Sequence, residues 1–207
     1  MPSKIKKFLE EIAKGKAPGP SPTFSIFQML QAIELIGEKE IGRGKLAERL
    51  NVGDGAVRTI ISRLKKAGLI TTSKAGCSLT SKGSRFWNDY KLIFKSGVSL
   101  GKIGLTQSDY NYALLIKNYG SRVSSGMEQR DAAIKMGANA AVTIVFRKEH
   151  LMIPSVTDDL NESFPKLSSQ IIQLLCPEEN DVIVITGAAS PNVAHYAALA
   201  AAWTLLD

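Results

Sequence analysis

The chain has 207 residues, 44% of them hydrophobic, with a formal net charge of +7 and 2 cysteines. That is enough for one large or two small packed domains. The two cysteines, Cys77 and Cys176, have no metal-ligand spacing and offer no disulfide framework, and the most apolar stretch, Val193–Leu206, is too short and Ala-rich to span a membrane.

The charge is uneven along the chain. Residues 1–96 hold 18 Lys+Arg against 8 Asp+Glu, and residues 97–207 hold 8 against 11. A basic half beside a mildly acidic half suggests a nucleic-acid module joined to something else. The basic excess would supply sequence-independent affinity that weakens steeply with salt. The N-terminus lacks a long apolar run, so a cytoplasmic protein without a signal peptide or membrane partner is expected.

In chain order, residues 3–14 read as an amphipathic helix with Ile5, Phe8, Leu9 and Ile12 on one face. The sequence APGPSP at 17–22 is a stiff, extended break. These 22 residues stand apart from a first domain at 23–96. Its opening helix, Phe24–Gly37, repeats Ile26, Met29, Leu30, Ile33 and Ile36 at helical spacing.

Residues 43–87 carry the most informative pattern. A helix at 43–50 is followed by a tight turn, Asn51–Gly55, and a second helix, Ala56–Ala67. Gly68 stops it, and Leu69–Thr72 and Cys77–Thr80 alternate as strands around Ser73–Gly76. In the second helix Val57, Ile60, Ile61 and Leu64 make one apolar face. Arg58, Thr59, Ser62, Arg63, Lys65 and Lys66 lie largely off it, and Asp54 stands where an N-cap is expected. Helix, turn, helix and wing in that order place one helix in a DNA major groove. The residues expected to contact double-stranded DNA are Arg43, Lys45, Asp54, Arg58, Thr59, Ser62, Arg63, Lys66 and, at the wing tip, Lys74. The competing reading is a small helical core whose charges are merely solvated. Ser84–Phe94 adds Phe86, Trp87, Tyr90 and Phe94, either as domain core or as a dimer helix.

Residues 24–95, through VRTIISRLKKAGLI, the wing and LTSKG, resemble a winged helix-turn-helix domain of archaeal transcription regulators. That resemblance implies a DNA-binding regulator, and homodimers of such proteins read two half-sites.

Residues 97–207 form a second domain. Ser96–Ser108 reads as a linker or irregular edge. Then come strand 110–117, helix 126–136, strands 141–146 and 150–153 around a hairpin turn, helix 159–175, strand 181–186 and helix 192–206. A βαββαβ order fits a ferredoxin-like sandwich, making the whole chain α+β. An open three-layer α/β sheet is the alternative.

Two loops in this domain invite a small-molecule effector. GMEQRD at 126–131 opens a helix after a polar loop, with Arg122, Glu128, Gln129, Arg130 and Asp131 as candidates. TGAASPN at 186–192 joins a strand to a helix, with Thr186, Gly187 and Asn192 as candidates. Neither carries GxGxxG or a P-loop lysine, and no catalytic triad, paired acids or metal cluster stands out. An ordinary capped turn is the plainer reading of each. GMEQRDAAIKMGANAAVTIVF, DVIVIT and the Ala-rich last helix resemble the C-terminal domain of a group of archaeal winged-helix proteins of uncharacterised function. The combined expectation is a homodimeric, sequence-specific regulator with no cofactor and no catalytic residues. A winged helix fused to an enzyme, in the layout of archaeal riboflavin kinases, is an alternative, as is an architectural or protein-binding winged helix.

Overall fold

A computed structural model describes residues 2–14 and 23–206, so the Pro-rich stretch lies outside the described residues. The chain divides into two units, 1–90 and 91–207. The first holds helices α1 (Pro2–Lys14), α2 (Ile26–Glu38), α3 (Arg43–Leu50) and α4 (Asp54–Lys66), the hairpin β1 (Ile70–Thr72) and β2 (Cys77–Leu79), and most of α5 (Ser81–Ile93).

Local chemistry sets these ends. Ser25 accepts from the Gln28 amide at 3.2 Å, and the Gln28 side chain accepts from the Ser25 amide at 2.8 Å. This capping box contributes about 1 kcal/mol to α2. Helices α3 and α4 stop in the same way. Asn51 (φ 51°) and Gly68 (φ 74°) turn left-handed, so the Val52 amide reaches the Ala47 carbonyl at 3.1 Å and the Leu69 amide reaches that of Leu64 at 3.0 Å. The Asp54 cap expected from sequence is not formed. Gly53 is the N-cap and Asp54 lies inside the first turn, where its carboxylate meets the positive helix end. Leu9, Met29, Leu30, Ile33, Leu46, Leu50, Ile60 and Leu64 are fully buried. A Cβ on Gly83 would lie 1.9 Å from the Leu69 carbonyl oxygen, so only glycine lets α5 start against the hairpin.

The aromatic residues of α5 pack in part within this unit, with Trp87 half-buried. Phe86 and Tyr90 are buried, Phe86 meets Phe8 at 5.8 Å, and Trp87 stacks on Tyr90 at 5.3 Å. Of the two cysteines, Cys77 is buried and Cys176 exposed. The backbone of Cys77 also bridges to Ile41, accepting from and donating to it at 3.2 and 2.9 Å. Burial, then the Glu40 charge, raises the Cys77 thiol pKa, which disfavours the reactive thiolate.

The second unit is built on one five-stranded antiparallel sheet. Its strands are β3 (Phe94–Leu100), β4 (Tyr110–Ile116), β5 (Ala140–Arg147), β6 (His150–Met152) and β7 (Val182–Ala188), in the order β3-β4-β7-β5-β6. Helices α6 (Met127–Lys135) and α9 (Pro191–Trp203) cover one face. Helices α7 (Leu160–Ser163) and α8 (Pro165–Leu175) close the other over Leu115, Ile144, Ile183 and Ile185.

The βαββαβ element order is present, but a ferredoxin-like sandwich is not. In that fold the first and third strands of the run lie side by side and the helices share a face. Here the fourth, β7, lies between the first, β4, and the second, β5, and helices cover both faces. Every residue of VIVITGA in β7 is buried, and a strand apolar on both sides needs neighbours on both edges and cover on both faces. The segment read as a linker contributes β3, paired to β4 from Phe94↔Ile116 to Leu100↔Asn111. The single helix expected at 159–175 is broken before Pro165, which disfavours helical backbone at Phe164. Lys148 and Glu149, both left-handed, make the two-residue turn of the β5–β6 hairpin.

At one end of the sheet, buried Asp181 accepts from the amides of Asn118 and Glu178, each at 2.9 Å, and from Lys117 Nζ at 3.2 Å. Lys117 also reaches Glu178 at 2.7 Å. Its pKa rises although desolvation opposes this, because both carboxylates hold its proton.

One carboxyl in the first unit titrates in the neutral range. Glu34 accepts from Tyr90 Oη at 2.5 Å. Burial raises its pKa to about 7; the Tyr90 bond opposes that and the Glu38 charge adds to it. A carboxyl whose folded pKa lies above its unfolded value favours folding when protonated. That contribution is complete below the unfolded pKa of about 4.5 and is lost as pH rises through about 7. Thermal melts from pH 4.5 to 8 should show stability falling along this limb, and Glu34→Gln should flatten it. An unchanged slope in the variant would place the titrating group elsewhere.

Candidate nucleic-acid interface

Helix α4 divides cleanly around its axis. Ala56, Val57, Ile60 and Leu64 are buried, while Arg58, Thr59, Ser62, Lys65 and Lys66 are exposed. Arg43 and Lys45, exposed on α3, and Lys74, exposed at the hairpin tip, extend the cationic surface. The turn Asn51–Gly53 places α3 beside α4, so Arg43 and Arg58 approach the same carboxylate. Asp54 Oδ1 lies 3.4 Å from Arg43 Nε, and Asp54 Oδ2 pairs with Arg58 Nη2. All three side chains remain more than half exposed. Asp54 therefore orients two guanidiniums without withdrawing them from a partner. The i,i+4 half of this arrangement is visible in sequence spacing. The Arg43 half depends on how the turn folds back.

Not every basic residue of α4 faces outward. Arg63 donates to the Ala13 carbonyl of α1, and its guanidinium lies 5.3 Å from the Phe24 ring centroid. It fastens α1 and the segment leading into α2 to α4, so the structure does not present it on the outward stripe. Lys65 Nζ donates to Thr72 Oγ1 at 3.1 Å, steadying the hairpin. Thr59 Oγ1 donates to the Gly55 carbonyl at 2.9 Å, which leaves its methyl and oxygen lone pair for an outside contact. Ser73 Oγ accepts from the Ala75 and Gly76 amides and donates to Glu40 Oε1 at 3.1 Å, fixing the tip below Lys74. Sequence reading missed Lys82. It donates to the Ala67 carbonyl at 2.7 Å and lies 5.1 Å over the Phe8 ring, at the negative end of α4.

The residues expected to hold an effector do not converge. Helix α6 runs antiparallel to α9. Gln129, near its start, donates to Thr204 Oγ1 at 2.6 Å beyond the end of α9, while a Cβ on Gly137, past its end, would meet Val193 near the start of α9. The two candidate loops thus lie at opposite ends of one helix pair. Arg122 donates to the Leu205 carbonyl at 3.2 Å and sits over Tyr119, fastening the C-terminal turn. Thr186 and Gly187 are buried inside β7. The Thr186 hydroxyl donates to the Ala194 carbonyl at 2.6 Å, and Gly187 packs against Ser108. Asn192 is half-buried in the first turn of α9, where Ser190 is the N-cap. Glu128, Arg130 and Asp131 are exposed on α6.

Elsewhere, burial alone lowers the pKa of His195 to about 4, so it is a neutral ring packed 4.5 Å from Tyr112. Among the described residues no group of three His, Cys, Asp or Glu could hold a metal ion, and no helix is long and apolar enough to cross a membrane.

The geometry defines a mixed α+β chain in which a helical unit with an exposed basic helix precedes a sheet unit. Comparison with known proteins follows that division. Residues 25–94 match the family model described as "CggR N-terminal DNA binding domain", and residues 107–205 match "Domain of unknown function (DUF4443)". Among solved structures the chain is similar to "Hypothetical protein PH0730 from Pyrococcus horikoshii OT3", at 26% identity and a TM-score of 0.73, over 88% of this chain and 92% of that one. No curated protein matches.

The role given to Arg63 is open to test. Arg63→Ala should cost about 1–2 kcal/mol, the worth of a charged hydrogen bond partly open to water. It should also speed tryptic cleavage among Lys4–Lys14. A variant with the wild-type melting curve and cleavage rate would return Arg63 to the list of residues free to meet DNA.

Proposed function

We propose that the chain is a sequence-specific DNA-binding transcription regulator acting as a homodimer. Its first unit is a winged helix-turn-helix domain, with α4 as recognition helix and the β1–β2 hairpin as wing. One observation carries the reading: the buried face of α4 fixes its rotation so that Arg58, Thr59, Ser62 and Lys66 form one exposed stripe beside the Arg43–Asp54–Arg58 cluster. Arginine reads guanine edges and lysine reads phosphate, so the stripe combines base readout with backbone affinity. The match of the same residues to a DNA-binding domain model supports it, as does the surplus of Lys and Arg in the first half.

The second unit supplies dimerisation in this reading, and regulation by a small molecule would act through it. Of the expected effector set, Glu128, Arg130 and Asp131 on α6 and Arg122 remain exposed and accessible to a ligand. No group within the unit is assigned a catalytic role. A protein that reads chromosomal DNA works in the cytoplasm of a cell without a nucleus, consistent with the resemblance to archaeal regulators.

The test is selection of duplexes from a random-sequence library by the full chain, followed by anisotropy on the enriched and unselected duplexes. Enrichment of a two-fold symmetric sequence is expected. Arg58→Ala should weaken binding to it by about 1–3 kcal/mol while changing affinity for the unselected duplex less. Binding without enrichment would leave an architectural protein. No binding at low salt would move the function to a protein partner or to catalysis.

A further inference from the structure

Helix α6 is a surface helix whose outer stripe is not simply polar. Its inner side carries buried Gln129 and Ala133 against β5 and α9. Its outer side carries Met127 and Ile134, 48% and 41% exposed, at i and i+7, with Arg130 and Asp131 between them. Glu128, Asp131 and Lys135 take no partner among the described residues, and Arg130 touches only the Met127 sulfur, at 3.8 Å.

The order of these residues is its own complement. When two copies of α6 cross antiparallel about a two-fold axis passing between residues 130 and 131, residue 127 falls opposite residue 134 and residue 130 opposite residue 131. Met127 then packs on Ile134 of the second copy at each end, and two Arg130–Asp131 pairs form at the centre. Isologous contacts require this kind of self-complementarity. We propose that the α6 outer face is the contact through which the chain pairs with a second copy of itself, with Met127 and Ile134 as apolar ends and Arg130 and Asp131 as the register-setting pair.

This rests on the homodimer reading above and names its interface. It also gives the GMEQRD stretch a role other than holding an effector. A nine-residue helix offers less than the roughly 1,200 Å² that a stable interface buries, so the contact is expected to be weak in solution. Two half-sites on one duplex would raise its effective concentration.

Sedimentation equilibrium over a wide protein concentration range tests the proposal on the full chain. Wild type should dimerise. Arg130→Asp, which sets like charges against each other across the axis, should raise the dissociation constant about tenfold or more. Arg130→Asp combined with Asp131→Arg restores opposite charges and should return it to near the wild-type value, a recovery that only direct apposition of the two positions explains. Thermal melts of both variants report whether the fold is intact. A wild-type chain that stays monomeric throughout would overturn both the α6 contact and the homodimer. A dimer indifferent to Arg130→Asp, or a folded double variant as weak as the single one, would overturn the α6 contact and leave the homodimer standing on another surface.

Discussion

The burial of one side of α4 governs the rest of the first unit. Val57, Ile60 and Leu64 admit no water, so the helix cannot rotate without exposing them. At about 25 cal/mol per Å² of apolar surface, turning three such side chains outward would cost several kcal/mol, comparable to the whole stability of a small domain. The outward orientation of Arg58, Thr59, Ser62 and Lys66 thus follows from packing of the opposite face, with the Arg58–Asp54 pair and the Thr59 bond to Gly55 steadying two of them. The left-handed stop at Gly68 adds to this by sending the chain straight into the hairpin, which fixes where Lys74 projects.

Cationic residues in this unit divide between two tasks. Arg63 and Lys82 give their hydrogen bonds to backbone carbonyls of α1 and α4 and rest over Phe24 and Phe8. Arg43 and Arg58 share a carboxylate at the surface instead. Counting positive charges along the sequence does not separate these groups, because the division depends on what lies beside each side chain. The outward arginines come ordered before any partner arrives, which reduces the side-chain entropy lost on binding.

Much of the first unit was legible in the sequence because its determinants are local. Helical spacing in 26–36 and 57–64, the Asn51 and Gly68 stops and the strand alternation around Ser73–Gly76 each act within a few residues. The apolar stripe also fixed which residues of α4 lie outside, Arg63 excepted. Its inward role depends on Ala13, fifty positions away. In the second unit most elements were legible and their arrangement was not. Strand order depends on which edges find partners, and the alternating polarity of β3 is too weak to mark residues 94–100 as a strand without β4 beside it. The effector candidates failed to converge for the same reason. Loops alike in sequence context can lie at opposite ends of a helix pair.

The strand at the centre of the sheet is the last of its five strands to be made. Residues 182–188 join β4, over sixty residues earlier, to β5, and the two have no contact ladder without them. During synthesis the first unit has all its elements while the second lacks its keystone, leaving the apolar faces of β4 and β5 in search of a partner. Such long-range pairing is slow and exposes strand edges while it waits. The helical unit should therefore be able to fold on the ribosome ahead of the sheet, and the sheet should complete itself only after residues 182–188 have emerged.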